Sequence, residues 1–416
     1  MCPKNLKLSL LAAAVTVATG QAHSAAFQLA EQNTTGLGRA YAGEGAIGDN
    51  ASVLGRNPAA MTLFDSAALS AGAIYVNPEV DVEGKGTTAA TGQGSGLPTQ
   101  SEDIAGDALV PFFYYIQPIN DQWTTGFGAF TNYGLSTSYQ DNHYAGTVAG
   151  MTSLKTLNLN PNIAFKANNH LSLGAGVNAV YADAELVRHL GIASALIPGT
   201  VPTTEAARLE GDDWGYGWNI GLLVEADEHN RWGLSYRSGV DIKFSGEFTG
   251  LTSAQQRVPA NLDVTLPAMA EFSGFHRLNP DWALHYGLLW TEWSSFKELK
   301  AVGSTGQELF QKDEQFKNSW RVSAAATHRL DERWTLRGGV AYDRSPVREA
   351  FRSISIPDSN RVWYSLGSTY SYNQQLSFDA SFAFLNGKKV DVKEDNFEFI
   401  SGGDAYLFGL QMNYRF

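Results

Sequence analysis

Tyr406-Leu407-Phe408-Gly409-Leu410-Gln411-Met412-Asn413-Tyr414-Arg415-Phe416 ends the chain. Tyr406, Phe408, Leu410, Met412, Tyr414 and Phe416 alternate with Gly409, Gln411, Asn413 and Arg415, and only Leu407 breaks the polar or small set. A period of two puts the six apolar side chains on one face of a strand. An aromatic-rich face on a strand ending in Phe is the pattern with which an outer-membrane β-barrel closes. It directs the search for function toward a pore rather than an active site.

The other end agrees. Lys4 and Lys7 precede an apolar run from Leu8 to Ala18, and small residues continue through Ala25. This is a secretory signal pattern, with Ala22 and Ser24 at −3 and −1 and cleavage expected before Ala25. Eleven apolar residues cannot cross about 30 Å of hydrocarbon as a helix. No other stretch approaches eighteen, and mean hydropathy is −0.20, so any crossing is made by strands. The formal charge of −12 has the wrong sign for nucleic acid. The single cysteine, Cys2, lies in the signal, leaving no disulfide. The 42 glycines and 12% aromatic content suit strands better than a helical bundle.

Six short polar turns recur, at 120–122, 168–170, 228–231, 279–281, 331–333 and 373–375. Trp123, Trp232, Trp282 and Trp334 follow four of them, where an apolar ring with a wet N–H suits the membrane interface. Each turn launches an alternating run, such as Trp282, Leu284, Tyr286, Leu288 and Trp290 outward against Ala283, His285, Gly287 and Leu289 inward. Longer polar stretches near 82–107, 134–152, 184–212, 245–262, 294–318, 344–361 and 387–404 separate the turns. Six short turns and seven long loops imply an all-β, fourteen-stranded antiparallel transmembrane barrel over 67–416, with both ends on the short-turn side. Such a lumen is too wide for wall side chains to fill. The Gly-punctuated segment 25–66 reads as a plug (hatch) within it; by composition it reads also as a periplasmic tail.

Gly36-Leu37-Gly38-Arg39-Ala40-Tyr41, Gly43-Glu44-Gly45-Ala46 and Arg56-Asn57-Pro58-Ala59 resemble the FadL family of long-chain fatty acid transporters of Gram-negative outer membranes. The likeness continues through Asn132-Tyr133-Gly134-Leu135, Phe316-Lys317-Asn318-Ser319-Trp320-Arg321, Asp343-Arg344-Ser345-Pro346-Val347, Ile356-Pro357-Asp358-Ser359-Asn360-Arg361 and the last strand. The resemblance implies a fourteen-strand barrel with an N-terminal hatch. It also implies passive fatty acid uptake: capture in an outer groove, transfer to a pocket above the hatch, and lateral release where the third strand kinks. The groove would lie between the loops near 184–212 and 245–262, lined by Leu186, Val187, Leu190, Ile192, Leu196 and Ile197. Their spacings suggest a short amphipathic helix, one that could equally pack on the barrel rim. Arg188 and Lys317 match positions that hold the carboxylate, although by residue type alone they read as solvated loop charges. Asn132, Tyr133 and Gly134 match the kink, or an ordinary strand end. Asn57, Pro58 and Ala59 match the hatch element coupled to passage. The inward faces are mostly small or polar, so the apolar path must be local.

No enzyme reading emerges. Gly43 to Gly48 lacks the strand and helix of a dinucleotide site, no Gly-x-Ser-x-Gly elbow occurs, and the histidines have no zinc spacing. His143 and His189 are expected to be exposed loop residues or minor head-group contacts. No cofactor or metal is expected. The expected surroundings are outer-membrane lipid and lipopolysaccharide, with Phe416 as the handle for barrel-insertion machinery. The alternatives on this fold are an importer of neutral aromatic or alkane hydrocarbons, a non-transporting surface or phage receptor, and an open porin.

Overall fold

A computed structural model describes residues 26–85 and 96–416; the signal peptide, 1–24, lies outside the described residues. Fourteen antiparallel strands close into a barrel. They are Ala68–Gly84, Ala108–Pro118, Trp123–Phe130 with Gly134–Ser138, Gly150–Asn168, Leu171–His189, Glu205–Glu225, and Asn230–Arg237 with Val240–Gly250. Then follow Val258–Leu266 with Met269–Arg277, Trp282–Thr291, Ser319–Arg329, Trp334–Asp343, Arg361–Ser371, Leu376–Gly387 and Phe397–Arg415. The last strand pairs with the first from Ala68↔Arg415 to Gly84↔Phe399. This pairing closes the two terminal edges of the sheet on each other.

The short turns form for a local reason. Asn120, Asn279, Asp331 and Asn373 each accept backbone N–H bonds from the residues two and three positions on, at 2.7 to 3.0 Å. An Asx side chain thus replaces a backbone acceptor and reverses the chain within three residues. Tryptophans 123, 282 and 334 follow directly and pack on rings of the neighbouring strands, Trp282 stacking on His328 at 4.2 Å.

Several strands reach 17 to 21 residues. About ten suffice for the hydrocarbon, so their upper halves stand above the membrane. This corrects the loop boundaries. The fifth strand runs to His189 and the sixth starts at Glu205, so Leu186, Val187 and Arg188 lie on a strand. The connection holds a single 3-10 turn, Gly191–Leu196, instead of an amphipathic helix. The stretch at 245–262 is likewise mostly strand, turning through Leu251–Ser253.

The segment from Ala26 to Phe64 is almost wholly buried and touches the inner wall on every side. Its turns are a one-turn helix, Thr34–Leu37, and 3-10 turns Glu44–Ala46, Ala51–Gly55 and Pro58–Leu63. Asn33, Asn50 and Asn57 cap three of these with side-chain oxygens. Thr34 N–H donates to Gln411 on the last strand (2.9 Å), Gly45 N–H to Ser273 on the eighth (3.0 Å) and Asn57 to the Leu222 carbonyl on the sixth (3.0 Å). On the second strand, Tyr114 donates to the Gln32 carbonyl at 3.0 Å. Within the segment Arg39 pairs with Glu44 (2.8 Å) and Asp49 (2.6 Å).

Candidate functional site

Above this segment the lumen changes character. A layer of wall asparagines comes first: Asn158 bonds Asn132 and Asn178, and Asn219 links Asn160, Asn162 and Asn178, all at 2.8 to 3.1 Å. Over it lies an apolar cavity lined among others by Phe27, Leu135, Leu154, Leu186, Phe244 and Phe296. Two strand breaks create it. In the seventh strand Trp232, Leu234 and Tyr236 face out; beyond Ser238-Gly239, Val240, Ile242 and Phe244 are buried while Asp241 and Lys243 are exposed. The eighth strand does the same across Pro267-Ala268, burying Leu262, Val264 and Leu266 against exposed Asp263. Alternation is inverted above the membrane, where polar atoms face water and apolar ones face the lumen. That inversion is the signal in the sequence that could have located the cavity.

Arg188 is buried at the cavity's edge. Its guanidinium donates to the Met151 and Val187 carbonyls (3.0 and 2.8 Å), to Thr152 Oγ1 (3.1 Å) and to Ser355 Oγ (2.8 Å). Thr152 and Ile356, the neighbour of Ser355, line the cavity. Every one of these partners is neutral, and Arg188 makes no ion pair among the described residues. Lys317 is half-buried, its N–H bonded to the Pro346 carbonyl at 3.0 Å. It shares no partner with Arg188, although each touches the connection between the eleventh and twelfth strands.

The six groove residues separate. Leu186 lines the cavity, and Val187 and Leu190 are buried. Ile192 packs on a second apolar cluster with Tyr144, Val148 and Phe399, while Leu196 is 84% exposed. His143 is fully buried in that cluster and His189 is buried too, which corrects the expectation that both are exposed. Loss of hydration lowers the His143 pKa to about 4, so its ring stays neutral.

Asn132, Tyr133 and Gly134 interrupt the third strand. Its lower segment pairs with the second strand only from Phe113↔Ala129 downward, and Gly134–Ser138 pairs with the fourth strand alone. The upper second strand, Ala108 to Phe112, therefore has no ladder partner on that side. In this gap sits a small pocket touching Leu109, Val110, Tyr133, Gly134 and Leu154. Leu154 lines both cavities. The N-terminal chain supplies the missing bonds: Leu29 N–H donates to the Asn132 carbonyl (2.7 Å) and Gly134 N–H to the Phe27 carbonyl (2.9 Å). Tyr133 reaches the strand break opposite, its hydroxyl donating to the Pro267 carbonyl at 2.5 Å. Phe27 also packs edge-on against Trp293 (4.6 Å) and Phe296 (5.1 Å).

Asn57 is pinned by bonds to the Gly45 and Leu222 carbonyls, at 2.7 and 3.0 Å. The wall opposite Asn57, Pro58 and Ala59 consists of Gly174 and Gly221. A Cβ at Gly221 would lie 1.9 Å from Asn57 Oδ1, and one at Gly174 2.3 Å from Ala59 N. Only glycine lets the backbone approach so closely.

The family model described as outer membrane protein transport protein (OMPP1/FadL/TodX) matches residues 15–416. The chain belongs to this family. The long-chain fatty acid transport protein of Escherichia coli is 41% identical over 98% of this chain and 98% of its own length. That of Salmonella typhi is 42% identical, again covering 98% of each. Among solved structures, a Pseudomonas aeruginosa FadL homologue superposes with a TM-score of 0.84 at 24% identity, covering 94% of this chain and 100% of that one. The Pseudomonas putida toluene transporter TodX gives 0.70 at 17%, covering 94% and 100%. These two likenesses show a shared barrel fold. Membership and barrel together place the protein in the Gram-negative outer membrane, in a family of transporters and channels rather than enzymes.

Proposed function

We propose that the protein takes up long-chain fatty acids passively, with segment 25–66 as a hatch. The tail occupies the apolar cavity, the head meets Arg188, and the molecule leaves sideways through the gap beside the third strand. The observation that carries this reading is the buried Arg188 guanidinium, bonded only to neutral groups, at the edge of an apolar cavity. A charge so placed costs several kcal/mol unless an anion joins it. About fourteen methylenes at ~0.8 kcal/mol each give roughly 11 kcal/mol as an upper limit before binding costs. The gradient alone suffices if cargo is consumed inside the cell. Phe27 borders the cavity and is bonded to the kink, so cargo that displaces it would release the hatch and loosen the exit together. Lys317 is a further cation for the head during approach, and Leu190, Ile192, Leu196 and Ile197 form the outer rim of the entry. Around the barrel we expect lipid and lipopolysaccharide, and Phe416 as the insertion signal.

The test is uptake of labelled oleate in cells lacking other routes, comparing wild type with the Arg188→Ala, Lys317→Ala double variant. We expect a loss of about tenfold or more. Equal uptake would remove the carboxylate anchor and favour a neutral hydrocarbon as cargo.

A further inference from the structure

At the end of the lumen opposite the apolar cavity, a wide polar vestibule opens between the short turns 279–281 and 373–375. Short turns face the periplasm in such barrels, so this is the periplasmic mouth. Residues 48–51 of the N-terminal segment form its roof. The chain as a whole is acidic, with 42 Asp and Glu against 30 Lys and Arg. The vestibule reverses that balance: six arginines line it, on five strands and the N-terminal segment, against Asp49 and Asp281.

Three side chains there lack the partners that their chemistry calls for. Arg231 lies over the Phe275 ring, its guanidinium carbon 4.4 Å from the centroid. Its side chain makes no hydrogen bond or ion pair among the described residues, although Glu225 stands opposite in the ladder. His285 is 3% exposed; Nε2 bonds Thr327 Oγ1 at 2.8 Å and Nδ1 bonds nothing. Arg337 is 8% exposed and its Nε also lacks a partner. The charges acting most strongly on His285 are Arg39, Asp49, Arg337 and Arg231, so the three side chains converge. Asp49 is the one anion among these and already serves Arg39 at 2.6 Å and Arg337 at 3.5 Å. Asp379, 3.8 Å from Arg337, is also held by Thr35 and Asn413 at 3.0 and 2.6 Å.

An oxyanion with several acceptor oxygens would answer all three deficits. Guanidinium forks match phosphate oxygens in pairs, and a mouth of one charge sign walled by low-dielectric protein concentrates anions from solution. We propose that Arg231, His285 and Arg337 form a periplasm-facing site for a phosphate group, carried by inorganic phosphate or a small phosphomonoester. Arg277 guards the entrance, exposed two residues beyond Phe275, the ladder partner of Arg231. The closed wall separates the site from bilayer lipid, so its ligand arrives dissolved. The vestibule shares no lining residue with the apolar cavity, and the inference is independent of the fatty acid reading.

The test is calorimetric titration of inorganic phosphate and of glycerol 3-phosphate into the full-length protein in zwitterionic-lipid nanodiscs, at fixed ionic strength. At least one should bind saturably, and Arg231→Gln should weaken it by about tenfold or more. Arg231 holds no protein group by hydrogen bond, so this variant should melt as wild type does. Arg277→Gln, at the exposed entrance, should weaken binding several-fold, and Arg188→Ala, in the outer cavity, should leave it unchanged. Tighter binding of glycerol 3-phosphate would assign the site to phosphomonoesters, and the reverse order to free phosphate. Absence of saturable binding by either, equal binding by Arg231→Gln and wild type, or a loss on Arg188→Ala overturns the assignment. Saturable binding of a tetraglutamate peptide where neither phosphate binds overturns it too, making the vestibule a dock for an acidic protein segment.

Discussion

Replacing Gly221 with alanine tests whether the N-terminal segment is seated where the structure puts it. The new Cβ would stand 1.9 Å from Asn57 Oδ1 and 2.9 Å from Pro58 Cδ. Ordinary contact requires Asn57 to retreat by roughly 1.5 Å. That breaks its bonds to the Gly45 and Leu222 carbonyls, and the cap it offers Ala59 N–H. Two buried hydrogen bonds at about 1 kcal/mol each, and a cap at about 1, put the cost near 3 kcal/mol. Wall and segment cannot both keep their positions, and the wall is the stiffer, being laddered on both sides. We therefore expect a lower melting temperature in detergent and added conductance in planar bilayers. Gly338→Ala is the control, since its Cβ would meet nothing closer than 3.6 Å. If Gly221→Ala matches wild type in both assays, the contact is not what seats the segment.

Three further outcomes are expected. Val110→Trp, which fills the gap between the second and third strands, should cut oleate uptake several-fold while binding is retained; unchanged uptake would argue against a lateral exit. Glu31 is buried with neither oxygen partnered, and loss of hydration raises its pKa to about 7 against Arg321 and Arg56. The folded chain keeps this proton to about pH 7 while the unfolded chain releases it near 4.5, so stability falls across that window, by up to about 3 kcal/mol. Glu31→Gln should therefore raise the melting temperature at pH 8 and leave it unchanged at pH 4. Deleting Phe416, which lies exposed beside Tyr115 and Tyr414, should lower the amount of assembled barrel by Western blot of heat-modifiable protein.

The membrane-crossing part of the fold was legible because it repeats. Each Asx turn and following apolar foot is a local signal, and the period of two carries the strand from there. The upper barrel is harder to read, because alternation changes phase at Ser238-Gly239 and Pro267-Ala268 and its exposed charged positions resemble polar loop. Resemblance points to Arg188, but apart from the adjacent Val187 its neutral partners come from the fourth strand and from residue 355, far away in sequence. His143 is similar, since its burial is made by Tyr139 and Tyr144 in the connection after the third strand and by Phe399 on the last strand.

The most direct measurement is a crystal structure with a terminally brominated long-chain fatty acid, locating the bromine by anomalous scattering and the head by density. The account predicts the carboxylate within about 3.5 Å of Arg188 and the tail running among Leu186, Phe244 and Phe296. A head resting away from Arg188, or a tail outside that cavity, would contradict it.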